Sequence, residues 1–125
     1  MILDTNALSA LVDGEAAIRP HLSGADRVAI PVIVLGEFRY GIAQSRHWKT
    51  YDAWLNEYLA DFEILPITDA TATSYVQVRL ALKKAGTPIP ANDAWIAALA
   101  LEHRLAVLTR DQHFDAVPGL QRREW

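Results

Sequence analysis

The stretch Pro88-Ile89-Pro90-Ala91-Asn92-Asp93-Ala94-Trp95-Ile96-Ala97-Ala98-Leu99-Ala100-Leu101 leads within a few residues into Ala106-Val107-Leu108-Thr109-Arg110-Asp111. The two prolines fence off a loop, and Asn92 has the short polar side chain suited to cap a helix ahead of Asp93. Ile96, Ala97, Ala100 and Leu101 follow Asp93 at helical spacing, so an apolar stripe starts directly beneath that carboxylate, with Arg104 in the last turn. Ala106 to Thr109 is too short for a helix and has no polar alternation, which is how a strand buried on both faces reads. A helix that feeds a buried strand ending at an acid is half of a parallel α/β unit.

The same unit recurs outward from there. Ile2-Leu3 ends at Asp4, Val28-Ala29-Ile30 at Pro31, and Phe62 to Leu65 at Pro66. Helical spacing fills the intervals: Val32 to Ala43, then Tyr51, Leu55 and Tyr58, then Tyr75, Val78, Arg79 and Leu82 up to Gly86. Parallel strands joined by helices require right-handed crossovers, so the expected architecture is an α/β, three-layer α/β/α sandwich around a central, mostly parallel sheet. No linker interrupts the chain, and one domain spanning 1–125 is expected. With 51% hydrophobic and 22% charged residues the composition is that of a globular protein rather than a disordered tail. The absence of cysteine excludes disulfides and cysteine-bearing zinc sites. No apolar run is long enough to span a bilayer, and Met1-Ile2-Leu3-Asp4 has no charged leader segment, so a cytoplasmic protein without membrane attachment is expected. The net charge of -3 argues against a general nucleic-acid coat while leaving room for a local basic rim.

In an open parallel sheet ligands bind outside the carboxyl ends of the strands. Asp4 and Asp111 follow two of the apolar runs, and Glu37 and Asp93 stand near the starts of two of the helices. Each has an ordinary structural use: Asp93 suits a helix dipole, Asp111 a turn, and Asp4 a helix cap. Glu37, set among Leu35, Gly36 and Phe38, needs a partner more than the others do. Four carboxylates brought to one edge would repel, and a divalent cation such as Mg²⁺ or Mn²⁺, which prefers hard oxygen ligands, resolves that repulsion. Hydrolysis of a phosphodiester by metal-activated water is the chemistry such an inventory suits best.

Four segments, Ile2-Leu3-Asp4-Thr5-Asn6, Ile30 to Gly41, Ile89 to Ala98 and Leu108 to Phe114, together resemble the PIN domain family, and within it the VapC-type toxins of prokaryotic toxin–antitoxin pairs. Their order and spacing agree over nearly the whole chain. The resemblance implies a Mg²⁺-dependent endoribonuclease with an RNA substrate and a cognate antitoxin, commonly paired as a homodimer. It assigns Asp4, Glu37, Asp93 and Asp111 to the catalytic quartet, with Asp4 and Asp93 the principal metal ligands. Glu37 and Asp111 would act partly through water, and Thr5, Asn6, Asn92 and Thr109 would orient the carboxylates. Asp115, four residues on, is the alternative to Asp111. A catalytically degenerate PIN-like module acting through protein contacts is the competing reading.

The remaining features divide between packing and partners. Gly36 and Gly41 flank Glu37 and would permit a close approach by the first strand or a substrate backbone. His21, His47, His103 and His113 have no metal-ligand spacing and at least three of them read as surface residues, His113 being near enough to Asp111 to touch substrate. Arg39, Arg46, Lys49 and Arg110 are candidates for a basic rim, and Lys83-Lys84 complement a helix dipole. Trp48, Tyr51, Trp54, Leu55, Tyr58, Leu59 and Phe62 are too many for one helix face, so either that helix is buried nearly all round or part of it is exposed and contacts an antitoxin or a second subunit. Asp4 stands alone after the first apolar run and no lysine follows the last one, where a receiver domain needs paired acids and a lysine, and no glycine-rich Lys-Ser/Thr loop is present as a P-loop enzyme needs.

Overall fold

The computed structural model describes residues 1–125. Five short strands, β1 (Ile2–Leu3), β2 (Ala29–Pro31), β3 (Glu63–Leu65), β4 (Val107–Leu108) and β5 (Arg122–Arg123), form one sheet. Its order is β3-β2-β1-β4-β5. Every pair is parallel, with Ile2 in register with Ala29 and Val107, and Leu3 with Leu108. Helices α1 (Thr5–Val12), α2 (Arg19–Ser23), α3 (Val32–Ala43), α4 (Trp48–Tyr58), α5 (Asp69–Ala85) and α6 (Ala91–His103) flank it, giving the expected three-layer α/β/α arrangement. The chain builds the sheet outward from β1 through β2 to β3, then returns past β1 to lay down β4 and β5. The direction therefore reverses between β1 and β4, and the crevice outside their carboxyl ends is the position this topology opens to a ligand.

Ile2, Leu3, Ile30, Val107 and Leu108 are fully buried, which is why the runs carry no polar alternation. The outer strands depart from that pattern. In β3 Glu63 is exposed and Ile64 half-buried, because β3 is an edge strand. The charged pair Arg122-Arg123 forms β5 through backbone pairing, Val107 donating to the Gln121 carbonyl and Thr109 to the Arg123 carbonyl, each at 2.9 Å, with the Arg122 guanidinium adding a bond to the Thr109 carbonyl at 3.2 Å. No hydrophobic signal marks such a strand.

Helix α6 sits deepest. Ala94 and Ile96 through Ala100 are all buried, so the helix is enclosed on more of its circumference than a single stripe describes, and Leu101 is only half-buried. Its start differs from expectation. Helix geometry begins at Ala91 with Pro90 as the cap residue, placing Asn92 inside the first turn with its side chain used elsewhere. The proline holds the extended backbone that a helix entry needs, so no side-chain cap is required. At the far end Arg104 takes a left-handed conformation (φ 54°), the one non-glycine residue to do so, and turns the chain directly into β4.

The aromatic stretch is divided. In α4 only Leu55 is buried, while Trp48 and Tyr58 are 48% and 40% exposed. Trp54 bridges inward to Tyr58 and Phe62, with ring centroids 5.0 and 6.3 Å away. Part of this surface, together with Tyr40 on α3 at 71% exposure, remains open apolar area. Nothing lies within 4 Å of where a Cβ would sit on Gly36 or Gly41, so neither glycine serves a close approach within this chain. No helix is long and apolar enough to cross a membrane.

Candidate metal centre

Asp4 leaves β1 with extended backbone and caps α1, its Oδ1 accepting the Thr5 amide at 2.8 Å. Its Oδ2 accepts the Thr109 hydroxyl at 2.8 Å and the Asn6 amide at 3.4 Å. The Thr109 hydroxyl in turn accepts the Asp111 backbone amide at 2.9 Å and Asn6 Nδ2 at 3.1 Å. One donor and two acceptor positions are all used, which is what a fully buried hydroxyl requires. A single threonine at the end of β4 thus ties the strand-end acids Asp4 and Asp111 together.

Glu37 lies midway along α3 and is gripped from both sides. The Thr5 hydroxyl donates to Oε2 and Asn92 Nδ2 to Oε1, each at 2.7 Å. Asn92 precedes Asp93 on α6. Asp93 Oδ2 lies 3.2 Å from His113 Nδ1, and that same nitrogen lies 3.1 Å from Asp111 Oδ1. Asp111 also accepts the His113 amide at 2.9 Å, capping the 3-10 turn Gln112–Ala116. The contacts close a ring from Glu37 through Thr5, Asp4, Thr109, Asp111, His113 and Asp93 to Asn92, and so back to Glu37. Four separate parts of the chain each contribute one carboxylate.

The structural uses expected of Asp4 and Asp111 as caps are therefore real and coexist with membership of the ring. Asp115 does not join it; its Oδ1 accepts Arg122 Nε at 2.7 Å. His113, which sequence spacing gave no ligand role, occupies the gap between two carboxylates. Its ring nitrogen and one oxygen each from Asp93 and Asp111 lie within 4.8 Å of one another, and Asp4 reaches this group through Thr109 rather than by a direct contact. The available signal was its position two residues after Asp111 in a tight turn.

Electrostatics follow from this crowding. Asp4 is only 5% exposed, and burial raises its pKa above the ordinary aspartate value against the Thr109 and Thr5 hydrogen bonds, with Glu37 and Asp111 adding to the rise. Burial also raises Asp93, opposed by His113 and reinforced by Asp4 and Asp111. His113 is held above the ordinary histidine value by its hydrogen bond to Asp93 and by the charge of Asp111. No lysine or arginine pairs with any of the four acids, and the His113 imidazole is the one basic side chain in contact with them. A set of carboxylate oxygens with one imidazole fits Mg²⁺ or, with the nitrogen included, Mn²⁺. Beside Glu37 an open cavity of about 290 Å³, lined among others by Thr5, Phe38, Gly41 and Tyr51, leads away between α1, α3 and α4.

The basic-rim candidates are mostly engaged. Arg39 lies 3.8 Å from Asp52, Lys49 stands over the Trp48 ring, and Arg110 pairs with Glu15.

The fold and the site define an open parallel α/β domain with an acidic crevice at its point of reversal, and the comparisons make that class specific. The PIN domain family model matches residues 1–120. Ribonuclease VapC5 of Mycobacterium tuberculosis is 34% identical over 94% of this chain and 87% of its own length. The tRNA(fMet)-specific endonuclease VapC of Salmonella typhimurium is 28% identical over 99% of this chain and 96% of its own. The crystal structure of VapBC2 from Rickettsia felis bound to a promoter DNA fragment superposes with a TM-score of 0.90 at 25% identity, covering 99% of this chain and 97% of that one. The chain belongs to the PIN domain family, within its VapC group.

Proposed function

We propose that this protein is an endoribonuclease that cleaves RNA phosphodiester bonds with a divalent cation held in the acidic ring, and that it is the toxin of a toxin–antitoxin pair. The observation that carries the reading is the convergence of Asp4, Glu37, Asp93 and Asp111, without a lysine or arginine among them, on the crevice outside β1 and β4. The VapC relatives named as ribonucleases, and the VapBC complexes that share the fold, support the same conclusion.

Asp4 and Asp93 are the principal metal ligands in this reading, with Asp111 and His113 beside them. When bound, the cation supplies charge neutralisation at the phosphate and Lewis-acid activation of water. The chain's own groups do the rest. Thr109 and Asn6 fix the Asp4 oxygens, Thr5 and Asn92 fix Glu37, and burial of Asp4 and Asp93 keeps their charge unscreened and aimed into the crevice. Glu37, at the mouth of the cavity, and Asp111 orient the attacking water and accept its proton. Partners are an antitoxin and a second copy of the chain, and exposed Tyr40, Trp48 and Tyr58 supply apolar area for such contacts.

The test is cleavage of end-labelled RNA by the purified chain. Activity is expected to stop in EDTA and return with Mg²⁺ or Mn²⁺. Cleavage indifferent to chelation would overturn the metal assignment.

A further inference from the structure

Arg110 stands between Thr109 and Asp111, yet its side chain leaves the ring. The backbone there is already fixed: the Arg110 amide donates to Asn6 Oδ1 at 3.2 Å, the Asp111 amide to Thr109 Oγ1 at 2.9 Å, and the Thr109 amide to the Arg123 carbonyl at 2.9 Å. The strand end does not need the Arg110 side chain for support. The guanidinium instead pairs with Glu15, just beyond α1, and stacks on the Trp125 indole with its carbon 4.2 Å from the ring centroid. Trp125 Nε1 donates to the same Glu15 Oε1 at 3.1 Å. Two distant parts of the chain thus hold one cation from both its edge and its face.

A long arginine side chain beside four acids is the mobile cation nearest to them in sequence, and its planar fork matches a carboxylate well. We infer that Glu15 and Trp125 form a latch that keeps the Arg110 guanidinium out of the acidic ring, so that the ring stays open to a divalent cation. This rests on the metal-nuclease reading, and Arg110 acts here as a positioning residue rather than as a ligand.

The experiment is calorimetric titration of MnCl₂ into the full chain without RNA, for wild type, Glu15→Gln, Trp125→Ala, Arg110→Ala and the doubles with Arg110→Ala. Releasing the latch by Glu15→Gln or Trp125→Ala is expected to weaken Mn²⁺ binding by about 2- to 5-fold, the scale of one charge pair at a partly exposed site. Adding Arg110→Ala to either is expected to restore wild-type affinity, and Arg110→Ala alone to bind at least as tightly as wild type. Glu15→Gln keeps an acceptor for the indole, so it carries the test if Trp125→Ala does not fold. Weakened binding in Arg110→Ala alone, or no rescue in the doubles, would overturn the latch. So would a Glu15→Gln protein that binds like wild type while Asp93→Asn does not bind. A wild-type chain that takes up no Mn²⁺ would overturn the metal reading itself.

Discussion

At the amino edge of the sheet Arg27 meets Glu63 through two contacts of 2.8 and 3.0 Å, and the Met1 ammonium donates to the Arg27 carbonyl at 2.7 Å. Beyond the carboxyl edge, Asp4 and Asp111 at strand ends gather with Glu37 of α3 and Asp93 of α6, with a single imidazole between Asp93 and Asp111. The amino edge leaves its Arg27–Glu63 pair in solvent, where it costs little and contributes little, and satisfies the partly buried Met1 ammonium with a carbonyl. The carboxyl edge gathers one sign of charge and partly buries it, so that Asp4 and Asp93 are ionised at a cost. A fold that keeps such an arrangement, and surrounds it with threonine and asparagine side chains that fix its geometry, has set it aside for a ligand.

The difference is open to test, most forcefully by removing charge from the costly edge. Asp4→Asn or Asp93→Asn is expected to lower RNA cleavage by at least about 10²- to 10³-fold, the scale of losing a central electrostatic group of an active site. Thermal unfolding should show both variants folded, with Asp93→Asn no less stable than wild type at neutral pH. Cleavage retained in both would put the reaction elsewhere. Next in size, Thr109→Val leaves the Asp4 oxygen, the Asp111 amide and the Asn6 amide without their shared hydroxyl; urea denaturation is expected to show a loss of about 1–3 kcal/mol.

Cation binding sharpens the contrast from the other side. Mg²⁺ or Mn²⁺ at about 100 times its Kd should stabilise wild type by about 2.7 kcal/mol and Asp93→Asn far less, read as a shift in thermal midpoint. A smaller effect comes from pH. Folded-state pKa values of Asp4 and Asp93 are raised, so the native state holds protons that the unfolded chain releases. Their contribution to stability is greatest below the ordinary aspartate value and is lost as pH rises through the raised values. Metal-free wild type should therefore lose stability relative to Asp93→Asn as pH rises through that window, measured by urea midpoints; parallel profiles would contradict the raised values. Smallest of all, Glu63→Gln at the amino edge should leave cleavage within about twofold of wild type and barely move the unfolding midpoint.

Much of this was legible in the chain. Strands β1, β2 and β4 are short apolar runs that stop at an acid or a proline, and the helix over 32–43 matches α3 residue for residue. β5 was hidden because two arginines at a sheet edge pair through backbone groups, which have no side-chain signature. Asn92 reads as a helix cap in sequence, but Pro90 had already shaped the entry and freed the asparagine for Glu37, 55 residues away. His113 was invisible as a partner of Asp93 for the same reason: the contact spans 20 residues and depends on where a 3-10 turn lays the ring.

By itself the sequence determined the alternation of strand and helix, and with it the delivery of acids to strand ends, because apolar periodicity and chain punctuation are local properties. Tertiary structure alone decided that those acids form one closed ring, that Asp111 rather than Asp115 enters it, and that Arg110 is turned aside. Those outcomes depend on distances of a few ångströms between parts of the chain up to about a hundred residues apart. Only the parallel register of β1 against β4, and the packing of α6 beside them, sets those distances.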